Sequence, residues 1–240
     1  LSKVYRDLFE AHSEIKRDLA KSPTVSGQRV QNKLVNTEQQ ELTNYTYTVL
    51  SLPDRGEQLY EIAQELGIWT EYPRQRMIRW LEHELTARLY GHSTSQTSSH
   101  VEFMNPALEA VKEGEESSYY YCDRLLGLVD QLGKILSRDK TSRRAFFPMF
   151  QPEDTKRASL FTRIPCTLGY HAFIRNIDSE PYLHFTYLQR SCDFKTFWIS
   201  DLYFAHQLQV ALAQHLNIPP GVLTHIALSL HSFVAGEEIY

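Results

Sequence analysis

Cys166 stands directly after Pro165 at the head of an apolar run. A thiolate there would be a strong nucleophile if cations lay beside it. Taken alone, a cysteine at the start of a strand is more often a small buried hydrophobe. Further on, Gln189, Arg190, Ser191, Cys192 and Asp193 are contiguous, and Asp201 follows within a turn or two of helix. Arg143 and Arg144 form a pair earlier in the chain. A guanidinium is a planar fork suited to phosphate, and the Ser191 hydroxyl beside Arg190 adds a donor. The plainer reading of Arg143–Arg144 is a solvated turn after a helix. Glu84, flanked by His83 and Leu85, is a carboxylate for proton transfer, although charges on amphipathic helices are usually solvated. His231 and Phe233 are two apart near the chain's end, so they share a face if the segment is a strand.

These residues need elements to hold them. Residues 3–20 read as a charged amphipathic helix, and 21–41 as a polar loop. NYTYTVLSL (44–52) reads as a strand ended by Pro53, followed by a helix near 57–65. Met77, Ile78, Leu81, Leu85 and Leu89 recur at helical spacing and predict a helix over 74–90 that carries Glu84. The Ser/Thr-rich 91–101 reads as a loop. Leu125, Leu126, Val129, Leu132, Ile135 and Leu136 mark one amphipathic helix, 145–150 a strand, and 151–164 a connecting loop. Leu168–Arg175 and Tyr182–Gln189 form an antiparallel pair around a turn near 176–180. Phe204, Leu208, Ala211, Leu212 and Leu216 predict a long buried helix, which Pro219, Pro220 and Gly221 break before a last strand over 222–233. Strands and helices mix without βαβ regularity, so the class is α+β, with a mixed or antiparallel sheet packed by helices.

With 240 residues, 42% of them hydrophobic, the chain can bury the core of one domain. A net charge of −4 argues against a general nucleic-acid binder. No apolar run of about 18 residues predicts a membrane span. The charged opening helix is unlike a signal peptide. Three cysteines without a CxxC pair argue against a disulfide scaffold or a zinc site, and fit a reducing cytoplasm.

Together these pieces resemble the thymidylate synthase superfamily. The ordered set comprises ELTNYTYTV from Glu41, His83–Leu85, YYYCDRL followed by VDQL, SRR, Pro165–Cys166, QRSCD over 189–193 and HSF over 231–233. Each piece is weak singly; their order is specific. The resemblance implies that Cys166 attacks carbon 6 of a pyrimidine. Arg190 and Ser191, with Gln189 in the same motif, would hold the nucleotide. Arg143 and Arg144 would reach the phosphate in a neighbouring subunit, which implies a homodimer with shared active sites. Glu84 and Tyr121 would belong to the proton-transfer network, Asp193 to the folate and base site, and His231 to a ribose hydroxyl. Arg29, in SGQRVQ, would match an N-terminal phosphate arginine. 5,10-Methylenetetrahydrofolate would supply the one-carbon unit.

Departures from the family pattern set the finer expectation. Asp201 stands where synthases acting on uracil carry Asn. A carboxylate accepts from the exocyclic amine of cytosine and, when protonated, donates to its ring nitrogen. The alternative is a helix N-cap. Phe233 replaces a Tyr that would touch the ribose, and Cys122 replaces a Gly. The chain ends soon after HSFVAGEEIY, and 92–120 holds no Trp. Both features favour water over hydride in the final step. The expected activity is therefore 5-hydroxymethylation of dCMP, as in the deoxycytidylate hydroxymethylase branch, with CMP or dUMP as other substrates. A dCMP methyltransferase, a thymidylate synthase acting on dUMP and a catalytically silent nucleotide-binding homologue are the alternatives.

Overall fold

The computed structural model describes residues 3–26, 29–30, 33–34, 38–91, 121–159 and 164–234. The chain enters as strand β1 (Lys3–Tyr5), not as the expected helix. β1 pairs in parallel with β5 (Gln39–Val49). Helix α1 (Leu8–Leu19) starts only after Asp7, whose side chain accepts from Glu10 N–H at 2.9 Å. Its buried residues, Leu8, Ala11, Ile15 and Leu19, follow helical spacing. The expected loop at 21–41 contains β2 (Thr24–Val25) and a small separate hairpin, β3 (Arg29–Val30) with β4 (Lys33–Leu34). β5 also begins at Gln39 instead of residue 44. QQELTN has little strand propensity, but pairing with β10 (Pro220–Phe233) runs from Val49–Leu223 to Gln39–Phe233 and extends it.

Helices α2 (Gly56–Glu65) and α3 (Arg74–Tyr90) lie as expected. The single helix expected around 125–136 is two, α4 (Tyr121–Leu125) and α5 (Leu128–Arg138). Gly127 parts them with a φ of 83°, a conformation that glycine adopts without strain. β6 (Phe146–Pro148) follows. Residues 152–159 form helix α6 (Pro152–Ser159), where a loop was expected. Its opening proline needs no N–H partner in the first turn, and Asp154 anchors it. β7 (Thr167–Ile177) and β8 (Glu180–Gln189) form the expected hairpin. Asp178 and Ser179 both have positive φ, as a two-residue primed turn requires. β9 (Cys192–Asp193) and helix α7 (Trp198–Leu216) precede β10.

The sheet order is β1-β5-β10-β8-β7-β6, with β2 on β5 and β9 on β10. β10 runs antiparallel to β5 and parallel to β8, so the sheet is mixed and the α+β expectation holds. α7 lies against β8 and β10, ringed by α2, α3 and α5. Trp198, Ile199, Leu202, Phe204, Leu208 and Leu212 are all nearly inaccessible, as befits a helix apolar on most sides. Among the described residues no helix is long and apolar enough to cross a membrane.

Candidate active site

The site is assembled where β7 begins and β8 ends, beside α3, α4 and α7. Cys166 is half-buried just before β7. Its carbonyl accepts from Arg190 N–H at 2.6 Å, fixing the backbone against the end of β8. Two residues on, the β7–β8 register shifts between Thr167 and Gly169. A Cβ on Gly169 would lie 2.7 Å from the Phe147 carbonyl, so only glycine lets β6 approach so closely here.

Arg190 Nη2 lies 3.9 Å from Cys166 Sγ, and its Nε is 3.5 Å from the Pro165 carbonyl. A guanidinium against the sulfur is the setting in which a thiolate nucleophile is stabilised. The other described cysteine provides the contrast. Cys192 is fully buried in β9, and burial, together with Asp201 and Asp193, pushes its thiol well up. Accessibility and a cation separate Cys166 from Cys192, which their sequence contexts alone did not.

Tyr121 opens α4 and presents its hydroxyl to the same backbone. It accepts from Cys166 N–H at 3.1 Å and from Thr167 N–H at 3.4 Å. Over its ring, 4.7 Å from the centroid, lies the guanidinium of Arg88. Arg88 Nε donates to Glu84 Oε1 at 2.8 Å, one helical turn back on α3. The same guanidinium also lies over the Phe204 ring of α7, 4.3 Å from its centroid. Arg88 is 3% exposed. Burial opposes its charge, and the Glu84 carboxylate beside it outweighs that and holds its pKa above the ordinary value. Sequence reasoning missed Arg88. The signal was present: Arg88 is one heptad beyond Leu81, on the face that should have been apolar.

Asp201 lies in the first turn of α7 but does not cap it. The N-cap is Phe197, which makes no side-chain cap bond, and Asp201 N–H already donates to Phe197 O at 2.8 Å. The cap alternative therefore fails. Asp201 Oδ2 accepts from Gln189 Nε2–H at 2.6 Å. Burial pushes its carboxyl up to about 6, with Arg88 and the Gln189 bond pulling the other way. This group thus changes charge near neutral pH.

Residues 3–235 match the family model described as thymidylate synthase. The chain belongs to the thymidylate synthase family. A putative thymidylate synthase from Methanosarcina barkeri is 29% identical over 59% of this chain and 65% of its own length. A putative thymidylate synthase from Methanosarcina mazei is 31% identical over 50% of this chain. The matched region thus spans between about half and two thirds of these relatives, 54% of the second. Thermostable thymidylate synthase A from Bacillus subtilis superposes with a TM-score of 0.62 over 92% of this chain and 78% of its own, at 13% identity. Thymidylate synthase from T4 phage gives a TM-score of 0.55 over 94% and 77%, at 16% identity. At such identities the two structures establish a thymidylate synthase-like fold alone.

The other residues expected from the family motifs fall in two groups. β9 pairs Asp193 with His231 of β10, and Asp193 Oδ1 accepts from Lys195 N–H at 3.0 Å. His231 Nδ1 is buried without a hydrogen-bond partner among the described residues. Burial lowers the basicity of this ring, against the pull of Asp193 and Glu41. Phe233 meets His231 edge-on at 5.4 Å. Ser191 is half-buried beside Arg190. Arg143 and Arg144 instead stay exposed in the turn before β6. That turn is held through its backbone: Arg143 O lies 3.3 Å from His171 Nε2, and Arg144 N–H donates to Ser142 Oγ at 3.3 Å. The structure does not bring this pair to Cys166 by any described contact. Arg29 is in β3, and its side chain lies outside the described residues, as do residues 92–120 and the Cys122 side chain.

Proposed function

We propose that the chain is a folate-dependent one-carbon transferase that converts dCMP to its 5-hydroxymethyl derivative. The observation that carries this is Asp201: a half-buried carboxyl inside α7, held by Gln189 and poised near neutrality, where synthases acting on uracil have Asn. Cytosine presents an amine donor and a ring acceptor. A carboxylate accepts the first, and its protonated form serves the second. Uracil would set its carbonyl against the carboxylate, at a cost on the order of 1–3 kcal/mol for the unpaired polar group.

Cys166 Sγ adds to carbon 6 of the base, and carbon 5 becomes enamine-like and able to attack. Methylenetetrahydrofolate supplies the one-carbon unit at the formaldehyde level. Asp193, half-buried at the end of β9, offers the carboxylate acceptor that pterin N–H groups need. Glu84, oriented by Arg88, takes the carbon 5 proton as the folate nitrogen leaves; water then adds to the exocyclic methylene, and expulsion of Cys166 Sγ from carbon 6 restores the ring. Arg190 and Ser191 hold the phosphate, and the unpartnered Nδ1 of His231 suits a ribose hydroxyl. Arg143 and Arg144, exposed and basic, suit the phosphate of a partner subunit.

Thymidylate synthesis on dUMP is the second reading, favoured by the names of the Methanosarcina relatives. Incubating the protein with methylenetetrahydrofolate and dCMP, CMP or dUMP, followed by mass analysis, separates the two. The expected product is hydroxymethylated dCMP, and Asp201→Asn should move the dCMP:dUMP turnover ratio toward dUMP by about tenfold or more. A wild-type preference for dUMP, or an unchanged ratio in Asp201→Asn, overturns the cytosine assignment. Binding of nucleotides without any product identifies a silent homologue.

A further inference from the structure

Behind Asp201 runs a line of buried polar side chains that the reaction chemistry does not require. Trp198 Nε1–H donates to Tyr47 Oη at 2.6 Å. Tyr47 Oη and His225 Nδ1 are 2.7 Å apart. His225 Nε2 and Gln189 Oε1 are 3.0 Å apart, and Gln189 Nε2–H donates to Asp201 Oδ2. Trp198, Tyr47 and His225 are wholly inaccessible, and Gln189 is 1% exposed. Four elements contribute: α7, β5, β10 and β8.

The first member fixes the polarity of the line. An indole N–H can only donate. Tyr47 therefore accepts from Trp198, and its own proton goes to the acceptor within reach, His225 Nδ1. Nδ1 then carries no proton, so Nε2 does, and Nε2–H donates to Gln189 Oε1. That pins the amide with its NH2 group toward Asp201. The reverse polarity would need a protonated Asp201 and a turned amide, and it would strand the Tyr47 hydroxyl proton in the core without an acceptor.

We infer that Trp198, Tyr47 and His225 form a one-way hydrogen-bond relay that locks Gln189 as a donor to Asp201, with His225 as the positioning residue for base choice. This rests on the reading of Asp201 as the base-reading group. With Oδ2 held by Gln189, Oδ1 is the oxygen assigned to the pyrimidine edge. Without the relay, Gln189 can turn its carbonyl toward Asp201 and draw a carboxyl proton to itself. That proton is then lost to the ring nitrogen, and discrimination falls.

The surroundings fit a histidine that stays neutral. Tyr187 stacks on His225 at 5.0 Å, and Tyr47 meets it edge-on at 5.3 Å. Burial pushes the imidazole down to about 3. Asp201 itself is faced by Arg88 and Glu84 of α3, Tyr47 of β5, Tyr170 of β7, Tyr187 and Gln189 of β8, and Asp193 and Cys192 of β9. Gln189 is the group among these whose polarity His225 sets.

Two measurements on the full chain test this. In ¹⁵N-histidine NMR of the free protein, His225 should be the neutral Nε2–H tautomer from about pH 8 down to about pH 5. Tyr47→Phe, which removes one oxygen, should let the Nδ1–H form appear. In calorimetry, the dCMP:dUMP affinity ratio should fall about tenfold or more in His225→Leu. His225→Gln, which restores a side-chain donor, should recover most of it. If His225→Leu does not fold, Tyr47→Phe takes its place in the binding experiment, with a smaller fall expected. An Nδ1–H tautomer in the wild type, or an unchanged ratio in folded His225→Leu, overturns the relay. If the wild type does not prefer dCMP, the Asp201 reading fails together with the base-choice part of the inference. The tautomer then decides whether the relay exists.

Discussion

At Asp201 the fold holds a carboxyl group where ionisation is opposed by burial. Its immediate helical neighbours, Ile199, Ser200, Leu202 and Tyr203, are all buried. The nearby Arg88 charge is already engaged by Glu84. Two carboxylates thus share one guanidinium, and Glu84 has the direct bond. The folded value of about 6 exceeds the ordinary 3.8, so the fold favours the neutral form. The resulting stability is fully present below about pH 4 and is lost as pH rises through about 6. Asp201→Asn removes that loss. The variant should match the wild type in free energy of urea unfolding near pH 4 and exceed it at pH 8 by about 1–3 kcal/mol. A wild type that is equally stable relative to the variant at both pH values would show that Asp201 is not desolvated. If Asp201 reads the base, the gain in stability comes with a loss of base choice, the usual trade at a functional position.

At the scale of elements, the position of Tyr121 depends on an ion pair distant from the chemistry. Arg124, one turn along α4, makes a bidentate bridge to Asp154 of α6, with Nη1–Oδ2 at 2.5 Å and Nη2–Oδ1 at 2.8 Å. Nη1 also donates to Met149 O at 2.7 Å, and Asp154 Oδ2 accepts from Gln151 N–H. The pair therefore ties α4 to α6 and to the segment after β6. Asp154 is fully buried. Burial opposes its charge, but the Arg124 bonds and the Gln151 N–H prevail and hold it below the usual carboxylate range. Removing one partner strands the other, so Asp154→Asn should cost about 3–5 kcal/mol at pH 7 by denaturant unfolding. A depressed carboxyl contributes stability above its unfolded value and loses it as pH falls through its folded value. The deficit of Asp154→Asn should accordingly shrink below about pH 4. A deficit that is constant with pH would assign the loss to packing, not charge.

At the scale of the whole molecule, Arg143 and Arg144 stand apart from Cys166. Both are exposed, whereas Arg190 is the arginine set against Cys166. If the pair completes the site of a second copy, each site needs two chains. A chain carrying Arg143→Ala and Arg144→Ala should be inactive, as should Cys166→Ala. Mixing the two should restore part of the activity, since one hybrid site in each dimer then has both its cysteine and its arginines. Sedimentation should report a dimer for both variants. No recovery from mixed chains that do exchange, or an active monomer, would contradict shared sites.

Much of this was written in the sequence. Cys166, Arg190 and Asp201 are named by local motifs, and α3 and the β7–β8 hairpin follow from apolar spacing and turn residues, because these are short-range properties of the chain. The family membership, shown by the match over residues 3–235, was expected from the ordered motifs. Other features depended on partners remote in sequence. Lys3–Tyr5 is a strand because β5 lies beside it, and Gln39–Thr43 is a strand because β10 does. Residues 152–159 are helical around the Asp154–Arg124 pair. Arg88 looked like an ordinary helix charge until Glu84, Tyr121 and Phe204 closed around it. His225 sits at an inward-facing register of β10, between Leu223 and Ala227, a pattern that hinted at burial but not at Tyr47 or Gln189. Motif order nominated the groups expected to react. Only the packing of β5, β8, β10 and α7 decided which buried donor faces which acceptor, since a hydrogen bond's direction depends on every group that shares its line.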